Sequence, residues 1–90
     1  MEPDQPIEQF VIGTIAEICG SQASQITLAA PVSELALDSL RITALAAHIQ
    51  STHDCRLSAG DILELLEAPS VADIVAIVRK VMVRQTFAES

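Results

Sequence analysis

The chain has ninety residues, room for one domain and not two, and half of them are hydrophobic. Twelve acids against five bases give a net charge of −7, which repels nucleic-acid phosphates and anionic membranes and favours basic protein partners. Aromatic material is limited to Phe10 and Phe87, so Ala, Val, Ile and Leu must fill the core, a composition suited to close helix packing.

Residues 1–5 read as a loose polar start. From Pro6, apolar residues recur at Ile7, Phe10, Val11, Ile15 and Ile18, one face of a helix that Pro6 opens and Gly20 stops. A connection follows over 21–37, with turn-formers Ser21, Ser24, Thr27 and Pro31 but also Ile26, Leu28, Val32, Leu35 and Leu37. A loop this apolar is expected to pack over the helices, and loops beyond about a dozen residues in compact domains are often functional.

The second helix is predicted from Ser39 to about Ser51, with Leu40, Ile42, Leu45, Ala46 and Ile49 as its apolar positions. After a connection at 52–57, Ser58 and Asp61 read as a capping box opening a short helix over 59–67. That helix mixes the acids Asp61, Glu64 and Glu67 with Ile62, Leu63, Leu65 and Leu66, and Glu64 and Glu67 read as a solvated face. Ser70 and Asp73 repeat the start signal for a last helix with an inner face of Val71, Ile74, Val75, Val78 and Met82. Arg79, Lys80 and Arg84 suit the C-terminal end of that helix, and residues 85–90 are expected to fray. The fold class is therefore all-α: a four-helix bundle with three main helices, a short third one and a long loop between the first two. It is read as a single domain over 1–90, with its core at about 6–84 and tails at 1–5 and 85–90.

Cys19 and Cys55 form neither a CxxC motif nor a metal-ligand spacing and are expected as reduced thiols. His48 and His53, five apart, point to different sides of a helix and make a poor metal pair, so no metal site is expected. The N-terminus is acidic where a signal peptide would be basic, and no apolar run is long enough to span a bilayer. A soluble, cytoplasmic protein without catalytic residues of its own is the expectation.

The segment Glu34-Leu35-Ala36-Leu37-Asp38-Ser39-Leu40 carries the chemistry. It resembles the phosphopantetheine attachment site of acyl carrier proteins, whose signature is Asp-Ser-Leu opening the second helix. The resemblance covers roughly residues 6–84, including the long loop, Ile49, the short third helix and Pro69-Ser70-Val71 opening the last. It implies that Ser39 takes a 4'-phosphopantetheine arm from coenzyme A. It also implies that Asp38 helps a phosphopantetheinyl transferase hold its magnesium, and that Leu40 lies beside the arm and touches partner enzymes. The alternative for Ser39 is a plain helix N-cap.

The chain departs from the family in two places. Ala36 stands where Gly is common, and helix two lacks the acids typical of fatty-acid-synthesis carriers, with Arg41 reversing the sign beside the arm. Charged interfaces select partners by complementarity and by repulsion of wrong ones. The expectation is a freestanding, monomeric carrier of acyl or aminoacyl thioesters in a specialised pathway of polyketide or nonribosomal-peptide type. A loading ligase or acyltransferase and downstream synthase or tailoring enzymes would be its further partners, recognising Leu40, Arg41, Thr43, Ala44, Ala47, Asp61 and Glu64. The alternatives are a fatty-acid-synthesis carrier and an unmodified acidic interaction module.

Overall fold

In the computed structural model, residues 5–35, 37–53 and 55–89 are described, the side chains of 5, 6, 53 and 85–89 excepted. Four α-helices follow one another: α1 (Gln5–Cys19), α2 (Ser39–His53), α3 (Ala59–Glu67) and α4 (Val71–Glu89). The expectations for the loose start at 1–4, for Ala36 and for the side chain of His53 lie outside the described residues.

Helix α1 ends as Gly20 predicts. Gly20 takes φ 70°, the left-handed conformation that a side chain disfavours. Its amide donates to the Glu17 carbonyl at 3.4 Å, and the Ser21 amide reaches the Ala16 carbonyl at 2.8 Å. This pair of bonds is the Schellman stop, which satisfies carbonyls that the helix itself leaves without donors.

The connection between α1 and α2 is more ordered than its composition suggests, with two 3-10 turns, Ala23–Gln25 and Val32–Leu35. It buries Ile26 and Leu37 and packs Leu28, Val32 and Leu35 against the core, as its apolar content predicts. Its backbone also closes the start of α4. The Val71 amide donates to the Ala30 carbonyl (3.1 Å), the Ala72 amide to Leu28 (2.8 Å), and the Val32 amide to Pro69 (3.0 Å). The Asp73 amide donates to the Ser70 hydroxyl at 3.4 Å. The first donors of a helix need partners from outside it, and the long loop supplies them here.

One apolar cluster joins the elements. Val11 and Ile15 of α1, Ile42, Leu45 and Ile49 of α2, Leu65 of α3 and Val71, Ile74, Val78 and Val81 of α4 are all buried within it. Helix α1 packs on α2 and α4, and α3 packs on the same two helices.

Several expectations are corrected at this level. Of the apolar positions counted on the helices, Leu63 and Leu66 face outward from α3, and Leu40 is 77% exposed on α2, where the resemblance puts a partner contact. On a nine-residue helix only one stripe can face inward; Asp61 and Leu65 occupy it, and the C-cap Ala68 continues it. Val81 is fully buried, whereas Met82 is only partly so. The backbone of α4 continues to Glu89, beyond the expected helix end near 84. Arg79, Lys80 and Arg84 therefore do not sit in the last turn; Lys80 and Arg84 instead face α3, as described below.

Candidate functional site

The long loop delivers the chain to α2 through fixed points. The Cys19 thiol at the end of α1 donates to the Leu35 carbonyl at 3.2 Å, and Leu37 is buried in the core two residues before the helix starts. Asp38 then turns the chain into α2. Its side-chain Oδ1 accepts from the Arg41 amide at 2.9 Å, and its carbonyl accepts the first helical bond, from the Ile42 amide at 2.9 Å. Both are the marks of an N-cap.

Asp38, not Ser39, is thus the cap, and the plain-cap reading of Ser39 is corrected. Ser39 is the first residue inside the helix. Its carbonyl accepts from the Thr43 hydroxyl at 2.8 Å, while its own hydroxyl has no hydrogen-bond partner among the described residues and its side chain is exposed. A carboxylate in the capping position leaves the neighbouring hydroxyl available for chemistry.

The surroundings suit a covalently attached phosphodiester. The first turn of a helix presents amides and the positive end of its dipole, both favourable to an anion. Leu40 projects into solvent beside Ser39. Arg41, the one base in residues 1–55, follows one position later and is half-buried. The residues present fit the group that the resemblance implies.

The other residues expected to meet partners are distributed unevenly. Thr43 and Ala47 are exposed on α2, and Ala44 is half-buried. Asp61 is a correction, because its side chain is buried and committed. It closes the capping box with Ser58, its Oδ2 accepting the Ser58 amide at 2.9 Å while its own amide donates to the Ser58 hydroxyl at 3.1 Å. It also accepts both Arg84 guanidinium nitrogens, at 3.2 and 2.5 Å. The bonds from Arg84 hold its carboxyl at about 2, below the usual 3.8, against the opposing effect of burial; those from Ser58 and the Arg84 charge add to them. Arg84 is correspondingly raised by the carboxylate. Glu64 is not an unencumbered surface acid either, since Lys80 bonds both its oxygens at 2.6 Å. Glu67 remains solvated.

Sequence reasoning missed Gln50, whose Oε1 accepts the Leu57 amide at 3.0 Å and ties the entry of α3 to α2. A glutamine on a helix carries no signal of the backbone it will meet. The outward direction of Leu63 and Leu66 was legible, because counting in steps of three and four from Leu65 selects Asp61 and Ala68.

Comparison with known proteins accords with this geometry. A family model described as the phosphopantetheine attachment site matches residues 9–78, spanning the end of the long loop and the start of α2. The chain belongs to this family. Members attach 4'-phosphopantetheine covalently and serve as carrier domains without catalysis of their own, interacting with phosphopantetheinyl transferases and synthase enzymes. Neither the curated proteins nor the solved structures provide a match. Among the described residues, no helix of this carrier is long and apolar enough to cross a membrane.

Proposed function

We propose that Ser39 is the residue of this carrier that takes the 4'-phosphopantetheine arm. The observation that carries the proposal is the division of labour at the start of α2, where Asp38 caps the helix and leaves an exposed serine hydroxyl one residue later. The chain's part in the modification is to hold that hydroxyl on a rigid first turn, clear of obstruction, so that a transferase can bring it to coenzyme A. The exposed edge of the Asp38 carboxylate offers a hard oxygen to the magnesium of the transferase. Once attached, the arm supplies a terminal thiol that holds an acyl or aminoacyl group as a thioester. The dipole of α2 then steadies the phosphodiester, and Leu40, Arg41, Thr43, Ala44 and Ala47 meet the enzymes that load and use the cargo. The chain acts as a single cytoplasmic domain, and as a monomer.

Incubating the apo protein with coenzyme A and a broad-specificity transferase should add the mass of one arm to the wild type and none to Ser39→Ala. A folded wild type that never gains the arm would favour the unmodified interaction module.

Charge supports a reading of the pathway. Helix α2 carries no acid after Ser39 and holds Arg41 in its first turn, and of the acids on α3, Asp61 and Glu64 are engaged by Arg84 and Lys80. Enzymes whose docking surfaces are basic find little to attract them, which supports a dedicated carrier of a specialised acyl- or aminoacyl-assembly pathway over fatty-acid synthesis. Reversing the sign with Arg41→Glu should raise turnover by fatty-acid-synthesis enzymes about five-fold, the equivalent of about 1 kcal/mol at a charged rim. Efficient turnover of the wild type by those enzymes would count against the assignment.

A further inference from the structure

Helices α3 and α4 run side by side in opposite directions, since Asp61 meets Arg84 and Glu64, one turn on, meets Lys80. Towards the end where Ala68 and Pro69 link them, an open trough of about 370 Å³ lies along the seam. That volume is at the lower end of the range for pockets that hold a bound group. The floor is apolar, formed by Ala68, Pro69, Ala76 and Ile77. Pro69 and Ala76 are exposed and Ile77 is half-buried, so the floor keeps apolar surface in contact with water. On α4 the apolar strip runs on to Val83, which is 49% exposed.

The rim carries three carboxylates, Glu64, Glu67 and Asp73, against the single ammonium of Lys80. Glu64 holds that ammonium, with both its oxygens at 2.6 Å. Asp73 accepts the Ser70 hydroxyl at 2.6 Å, a neutral donor that leaves its charge in place. Glu67 makes no hydrogen bond or ion pair among the described residues. Two exposed negative charges therefore flank an apolar floor. Such a surface repels nucleic-acid phosphates and anionic lipid and complements cations held beside apolar side chains. Among the described residues, none from α2 or from the 21–37 connection lines it. The acids that α2 lacks beside Ser39 are thus present elsewhere on the molecule.

We propose that this trough docks a basic, amphipathic segment of a partner protein. The segment lays an aliphatic or aromatic side chain on Ala76 and Ile77 and sets Lys or Arg against Glu67 and Asp73. The area is small, so the contact is weak and transient. This docking goes beyond the carrier reading and does not depend on the arm. A partner seated here leaves Ser39 open, so one protein can hold the carrier while another reaches the start of α2.

The probe is a labelled helical peptide with Leu along one face and Arg beside it. It is compared with a scrambled peptide of the same composition and with a version carrying Glu in place of Arg. Titrated into the apo protein at physiological salt, the basic amphipathic peptide should shift the NMR amide signals of Glu67, Asp73, Ala76 and Ile77. Those of Leu40 to Ala47 should stay in place, and the other two peptides should bind at least about ten-fold more weakly. Glu67→Arg, at an exposed position, and Ala76→Gln, which fills the floor, should each weaken binding about five-fold. Ser39→Ala and the holo form should bind like the apo protein, and saturating peptide should leave the rate of arm attachment unchanged. Absence of binding, equal binding of the scrambled peptide, shifts centred on α2, or indifference to both trough variants would overturn the proposal. So would shifts at these four residues that grow with protein concentration without peptide, since a second copy would then be the occupant. Because the titration can be read on Ser39→Ala, its failure leaves the carrier assignment standing, and a failure of arm attachment leaves the docking surface standing.

Discussion

Asp38 performs two tasks that substitution can separate. As N-cap it accepts the Arg41 amide, and Asn caps a helix about as well as Asp, whereas Ala loses roughly 0.5–2 kcal/mol. Asp38→Asn should therefore unfold in urea within a few tenths of a kcal/mol of the wild type, yet accept the arm more slowly if the carboxylate serves the magnesium of the transferase. Asp38→Ala should lose both stability and rate. Equal modification rates for wild type and Asn would remove the metal role and leave only the cap. The Asp-Ser-Leu triplet was readable in the sequence, but which of its first two residues caps the helix was not. Both types are good caps, and the choice depends on the backbone angle at which the loop arrives.

Helix α3 shows how an element can be foreseen and its surface misjudged. Ser58 and Asp61, three apart, announce the capping box, and the structure has it. Asp61 was also expected among the residues that meet partners, whereas it lies one turn before Leu65 and turns inward with it. What makes its burial tolerable is Arg84, twenty-three residues on, a pairing no local pattern reveals. The pairing sets an acid sensitivity. The folded-state pKa of Asp61 is about 2 against 3.8, so its stabilisation is complete above about pH 4 and is lost as pH falls towards 2. A shift of this size corresponds to at most about 2.5 kcal/mol, reduced by the half-exposed Arg84. Comparing urea midpoints at pH 7 and pH 2.5, Asp61→Asn should lose less stability on acidification than the wild type. Equal losses in the two proteins would mean that the ion pair adds nothing to the fold.

At the scale of the molecule, stability rests on an aliphatic cluster to which every helix contributes. Leu65 is the one large apolar side chain that α3 buries completely, so Leu65→Ala should cost roughly 2–5 kcal/mol, a large share of the total for a small domain. A cost below about 1 kcal/mol in urea unfolding would show that α3 is only loosely seated. The sequence by itself determined the helix count, the periodic faces of α1, α2 and α4, the Gly20 stop and the serine at a loop-to-helix junction, because each depends on residues within a turn or two of one another. Tertiary structure alone decided that the long loop's carbonyls cap α4, that Gln50 holds the entry of α3, and that Arg84 and Lys80 serve α3 and not the end of their own helix. Those contacts join groups far apart in the chain, and burial selects them only after the helices have packed.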